Sequence, residues 1–226
     1  MKKQFRVLAA VLAVIVFMCT ALTGCGSSAP KEDDAKKYVQ AVLDLMCTGE
    51  YDKSVKFADV EEGKETEMRD ELIDEMLSSV ADDASMDEAT KGKFRDFIMR
   101  AFENCKYTVK DAVKTDDDGS TGYDVTVSIE PLKVFDGAME SMQEEMTALT
   151  SDTEKLMNMS EEEMYGVIYD ALFKILNANL DNPTYGEPQD IVVHYGLIDK
   201  EKKTYGTSSE DGEKLGQALF SMEGLE

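Results

Sequence analysis

The chain has 226 residues, and its 47 acidic side chains against 24 basic ones give a formal net charge of −23. That balance excludes a nucleic-acid partner, because duplex binding needs a basic face. A hydrophobic share of 42% supports a folded core, while one histidine and no tryptophan leave little material for metal or acid–base clusters.

The chain opens with Met1-Lys2-Lys3-Gln4-Phe5-Arg6, followed by an apolar run over residues 7–21. A positive start and a short apolar stretch are the marks of a secretory signal. The run falls short of the roughly 20 apolar residues that a membrane span needs. It ends in Leu22-Thr23-Gly24-Cys25. This resembles the lipobox of bacterial lipoproteins, in which a large aliphatic residue and two small ones precede the lipidated cysteine. The resemblance implies transfer of a diacylglyceryl group to the Cys25 thiol and cleavage before it. Residues 1–24 are then the signal peptide, and the domain is carried at the cell membrane, facing outside the cytoplasm. Lipid on Cys25 makes the membrane a partner, and two acyl chains anchor stably at about 0.8 kcal/mol per buried CH₂.

Removing 24 residues leaves 202, and losing Lys2, Lys3 and Arg6 takes the charge from −23 to −26. Residues 25–34, Cys25-Gly26-Ser27-Ser28-Ala29-Pro30-Lys31-Glu32-Asp33-Asp34, read as a lipidated N-terminus and flexible tether. The nine residues after Cys25 reach at most about 30 Å. Screening over about 8 Å confines charge repulsion to near contact, so the acidity is expected to keep the domain from lying flat on an anionic bilayer.

Residues 35–226 read as a single α+β domain. From Ala35, Tyr38, Val39, Val42, Leu45 and Met46 form one helical stripe, and Gly49 supplies its stop. Glu50-Tyr51-Asp52 is expected to open a second short helix with Tyr51, Val55 and Ala58 inward. Met68, Leu72, Met76 and Val80 give a third stripe, closed by a polar turn over residues 82–85. Phe94, Phe97, Ile98, Ala101 and Phe102 give a fourth. After Asn104 the period becomes two: Tyr107 and Val109, the turn Asp116-Asp117-Asp118-Gly119, then Tyr123, Val125, Val127 and Ile129 make a hairpin ended at Pro131.

A helical insertion is expected over about residues 136–181. Met139, Met142, Met146 and Leu149 form its first stripe. Ser160 and Glu163 form a capping box for a helix through Met164, Ile168, Leu172, Ile175, Leu176 and Leu180, and Asn182-Pro183 stops it. Ile191, Val193, Tyr195 and Leu197 alternate as a strand, residues 204–207 follow as a short one, and residues 211–222 end as a helix with Leu215, Leu219 and Met222 inward. Helices grouped against an antiparallel sheet of two hairpins define the α+β class.

A lead helix, then Thr48-Gly49-Glu50-Tyr51, a strand pair at 107–113 and 123–130, and a late hairpin resemble the NTF2-like lipoproteins of Gram-positive bacteria. The match would span about residues 35–222. It implies a pocket between helices and sheet, without naming a ligand. The family's late-strand Trp is replaced here by Lys203-Thr204-Tyr205-Gly206, and residues 136–181 are an insertion.

Cys47 and Cys105 are the cysteines left once Cys19 is removed and Cys25 lipidated. Outside the cytoplasm they read either as a disulfide or as two buried thiols. The Asp116–Asp118 run fails the alternation of a calcium loop and reads as a turn. His194 lies on the face opposite Ile191, Val193 and Tyr195 and reads as a sheet-face histidine. The methionines 139, 142, 146, 157, 159 and 164 read as adaptable core or as a partner groove rather than a Cu(I) site. Adjacent glutamates such as Glu161-Glu162-Glu163 diverge on a helix and make no acid–base dyad.

No phosphate loop, nucleophile elbow or zinc-protease motif is present in the sequence. The expectation is therefore a non-enzymatic, cofactor-free and metal-free binding module for an unknown ligand or envelope protein. Its pocket would be lined by Tyr107, Tyr123 or Tyr195. The alternatives are a transporter's solute receptor, which would show two strand–helix lobes, and a cell-envelope hydrolase.

Overall fold

The computed structural model describes residues 23–25, 30–57, 63–84, 87–117, 119–151, 160–201 and 203–223. Its elements run β1 (Thr23–Cys25), α1 (Glu32–Thr48), α2 (Glu65–Ala84), α3 (Glu88–Glu103), β2 (Lys106–Asp117) and β3 (Ser120–Glu130). They continue with α4 (Ala138–Ser151), α5 (Glu161–Asp181), β4 (Gln189–Asp199), β5 (Thr204–Thr207) and α6 (Ser209–Ala218). The strands form one antiparallel sheet in the order β1-β5-β4-β3-β2. The class is α+β.

The predicted stripe of α1 is its buried face: Tyr38, Val39, Val42, Leu45 and Met46 are each at most 2% exposed. That face lies against β2 and β3. Gly49 ends the helix at φ 76°, and its N–H donates to Leu45 O at 3.0 Å. Only glycine adopts this left-handed backbone without strain. Arg69 on α2 is buried beside it. Its guanidinium reaches Leu45 O at 3.4 Å, Asp70 Oδ1 at 2.8 Å and Met99 Sδ at 3.5 Å. A cation against the last carbonyls of α1 suits the negative end of the helix dipole.

α3 packs on α1 and carries the second layer to α5. Phe94 is fully buried between Tyr169 and Phe173, with ring centroids 5.9 and 4.5 Å away. Around that contact Lys93 meets Asp170 at 2.6 Å, and Arg100 meets Asn177 at 2.5 Å and Asp181 at 2.7 Å. α5 opens on the predicted box: Glu163 N–H donates to Ser160 Oγ at 3.2 Å, and Ser160 N–H to Glu163 Oε2 at 2.7 Å.

Register fixes which side chains share a face. Tyr123 opposes Tyr195, Val125 opposes Val193 and Tyr107 opposes Ile129, all toward the helices. The other face carries Thr108, Ser128, Asp190, Asp124, His194, Val113 and Val192, the last two more than half exposed. The β2 edge bears Lys106, Lys110 and Lys114, and a register break lies between Val109 and Ala112. Lysines and a bulge both discourage a foreign strand from pairing there. α6 runs beside β4, where the buried Asp211 accepts from His194 N–H at 3.2 Å and from Ser208 Oγ at 3.0 Å.

Several expectations are corrected. Residues 50–57 form turns rather than a helix, with Asp52 Oδ1 taking the Ser54 N–H at 2.9 Å; Tyr51 and Val55 still pack on the core, and Ala58 lies outside the described residues. The helix α2 continues through Ala84 where a turn was expected from Asp82. Among its described side chains Arg69, Ile73 and Leu77 are buried and Met68 is half-buried beside the core, while the side chains of Leu72, Met76 and Val80 lie outside the described residues. Met222 is 37% exposed, because α6 ends at Ala218 and Phe220 takes the inward place against Phe102. α1 begins at Glu32, three residues early, since Asp34 accepts the Lys31 N–H at 2.9 Å, and Pro30 is already buried. Residues 1–22 of the expected 1–24 signal segment and residues 26–29 of the expected tether lie outside the described residues, whereas Thr23, Gly24 and Cys25 form β1, opposite Gly206, Tyr205 and Thr204 of β5, where no strand was expected. Among the described residues, no helix is long and apolar enough to cross a membrane.

Candidate functional site

The cavity sits where the C-terminus of α1 meets the first residues of β2. Gly49 stops α1 just after Cys47 and Thr48, and Asn104 stops α3 just before Cys105. The strand then carries Lys106 and Tyr107 along the free edge of the sheet. These residues, with Glu103 of α3 and Glu130 of β3, surround an open cavity of about 570 Å³. Its size falls within the range typical of small-molecule sites.

Cys47 and Cys105, 58 positions apart in the chain, come together here as free thiols. The hydrogen bond to Cys105 pushes the Cys47 thiol well above its ordinary pKa, with burial and the charge of a Cys105 thiolate adding to it. Cys105 is half-buried and donates its S–H to Ala101 O at 3.5 Å. Tyr107 donates to Asp44 Oδ1 at 2.7 Å. Burial, the neighbouring Cys47 and the bond to Asp44 all raise its phenol pKa. Lys106 covers the Tyr185 ring, with its ammonium 3.7 Å from the centroid, and Tyr185 donates to Asn104 O at 2.9 Å.

The site therefore offers thiols, a neutral phenol and a carboxylate rim. A protonated Cys47 is a poor nucleophile at neutral pH, since the thiolate is the reactive form. Among the described residues, no group of three or more His, Cys, Asp or Glu side chains is placed to hold a metal ion.

Of the three tyrosines expected to line a pocket, Tyr107 does so. Tyr123 and Tyr195 sit about 20 Å further along the sheet, since six residues separate Tyr123 from Ile129 at about 3.4 Å each. They belong to an aromatic core instead: Tyr195 lies 4.9 Å from Tyr38 and 6.3 Å from Tyr205 between ring centroids. Tyr123 and Tyr195 are 8% and 7% exposed. Burial pushes the Tyr195 phenol up to about 12.

His194 does face away from that core, as predicted, but it has an acidic neighbour that was not anticipated. Its Nδ1 lies 2.8 Å from Asp124 Oδ1 on the adjacent strand. The signal was available: antiparallel pairing that sets Tyr123 opposite Tyr195 necessarily sets Asp124 opposite His194. Val113 completes that cross-strand row on the open face. Asp116, expected in a turn, accepts the Gly119 N–H at 2.9 Å, and Gly119 has φ 87°. Met142 is buried and Met139 packs on the core; the side chains of Met146, Met157, Met159 and Met164 lie outside the described residues.

No family model matches the chain, and no curated protein matches it. A solved structure does. It is the ycdA protein of Bacillus subtilis subsp. subtilis strain 168, named as a candidate lipoprotein, with a TM-score of 0.54 and 10% identity. The likeness shows a shared fold. It covers 83% of this chain and 56% of that one, so this chain spans little more than half of the other's length.

Proposed function

We propose that this chain is a membrane-anchored extracytoplasmic lipoprotein whose domain binds a small ligand or an envelope protein through the cavity at the start of β2. The observation that carries the anchoring is the ordered sequence of positive start, apolar run and Leu22-Thr23-Gly24-Cys25. The fold shared with a protein named as a candidate lipoprotein supports it. An NTF2-like relationship is supported by α1 lying across one face of an antiparallel sheet. A binding role is favoured over a solute receptor because the described residues form one sheet with one contiguous core cluster rather than two strand–helix lobes. It is favoured over hydrolysis by the protonated state of Cys47, and by the separation of the His194–Asp124 pair, on the open face, from the cavity.

Cell fractionation tests the anchor. The parent chain should sediment with membranes, and the Cys25→Ala chain should lose diacylglyceryl attachment and partition differently. Equal membrane retention of both would overturn the reading. Binding in the cavity is tested by a fragment screen followed by NMR on the parent and Tyr107→Phe chains. Shifts clustered at Cys105, Lys106 and Tyr107 are expected, and hits confined to other surfaces would contradict it.

A further inference from the structure

We propose that Cys47 and Cys105 are a thiol–disulfide exchange pair, in which Cys105 captures a small disulfide entering the cavity and Cys47 resolves it into an intramolecular bridge. The two thiols interact directly, and both lie on the cavity wall. Their surroundings differ. Cys47 is 2% exposed, on a buried turn of α1. Cys105 is half-buried, in the loop between α3 and β2. A disulfide reagent must reach a sulfur in line, and the attacking sulfur must be a thiolate. Access favours Cys105, and the hydrogen bond to Cys105, with burial adding to it, holds Cys47 in its protonated form while Cys105 is still a thiol.

Cys105 loses its proton and its sulfur attacks one sulfur of a reagent RSSR. The reagent's S–S bond breaks, a Cys105–S–S–R bond forms, and the first RSH leaves with the proton. Cys47 then loses its proton and attacks Cys105 Sγ. The mixed disulfide breaks, the Cys47–Cys105 bond forms, and a second RSH leaves. The protein gives up two electrons and two protons, and RSSR takes both. The bridge ties the last turn of α1 to the start of β2 beside Tyr107 and Asp44, and closes the intervening segment, which constrains the unfolded chain.

The test uses the full chain carrying Cys19→Ser and Cys25→Ser, so that this pair alone reports. It is treated with oxidised glutathione in native buffer, quenched with acid and mapped by mass. The expected product has lost two hydrogens and yields a Cys47–Cys105 linked peptide, with a Tm roughly 10 °C above the reduced form. Adding Cys47→Ser should trap a stable glutathione adduct on Cys105. Adding Cys105→Ser should leave Cys47 reacting at least about tenfold more slowly. Two free thiols after exhaustive treatment, or an adduct forming on Cys47 as fast as on Cys105, would overturn the proposal. Should a serine variant fail to fold, alkylation of the reduced parent decides: Cys105 must label before Cys47, and equal rates contradict the assigned order.

Discussion

The Tyr107 hydroxyl donates to Asp44 Oδ1 at 2.7 Å, and this bond joins the free edge strand β2 to α1 at the wall that holds both thiols. Gln40 Nε2 donates to the same oxygen of Asp44 at 2.7 Å, which fixes the acceptor. β2 has a neighbour strand on one side only, so side-chain contacts to α1 hold the mouth of the cavity in shape.

Tyr107→Phe removes the donor and keeps the ring. A hydrogen bond to a carboxylate contributes about 1.5–3 kcal/mol where partly buried. A loss in that range, with a Tm lower by about 2–4 °C per kcal/mol, is expected in urea and thermal unfolding. A variant as stable as the parent would show that the bond adds nothing.

Alkaline pH should unfold the protein. The Tyr38, Tyr107 and Tyr195 phenols and the Cys47 thiol all lie above their ordinary values. The unfolded chain sheds these protons near pH 9–10 while the folded one keeps them, so the unfolded state binds fewer protons and stability falls as pH rises. Stability contributed by these groups is fully present below about pH 9 and is lost toward the folded values, near 12 for Tyr195. Denaturation midpoints between pH 8 and 11 should drop, and the tyrosinate absorbance contributed by Tyr38, Tyr107 and Tyr195 should appear together with unfolding rather than before it.

Gly49→Ala places a Cβ 2.7 Å from Arg69 Nη1 at a residue with φ 76°. Arg69 is itself buried and cannot swing away cheaply. The left-handed backbone costs about 1–2 kcal/mol for alanine, and displacing the arginine adds to it. A loss of at least about 2 kcal/mol is expected in chemical denaturation, and Arg69→Met should relieve part of the clash in the double variant.

Phe94→Ala should cost about 3–5 kcal/mol, because the fully buried ring fills the joint between α3 and α5. Hydrogen exchange should then quicken in α5 more than in the sheet. Uniform quickening would show that the two layers unfold as one unit.

Much of this fold was legible because burial leaves a period. The stripes of α1 and α3, the alternation of β3 and β4, and the Ser160 box all match what the chain forms. The failures have local causes. Residues 50–57 carry helix-like spacing, yet the Asp52 side chain bonds Ser54 N–H and favours a turn. The burial of Arg69 cannot be read from an apolar pattern, because besides Asp70 its partners are a carbonyl and a sulfur of other helices. Within the site, Cys47 and Cys105 were legible as a pair but Tyr107 was not separable from Tyr123 and Tyr195. All three share one sheet face, and only strand order shows which one reaches the open edge.

Charge sets the posture of the anchored domain. A chain at −23, and at −26 without residues 1–24, should show no binding to anionic vesicles at low salt when prepared without lipid. Strong binding would point to a lipid-contacting surface instead.

The intact mass of the protein extracted from membranes decides whether Cys25 carries the anchor. The expected chain begins at Cys25 and carries a diacylglyceryl group on its thiol. A mass equal to the whole 226-residue chain, or to a cleaved chain with a bare Cys25, would contradict it.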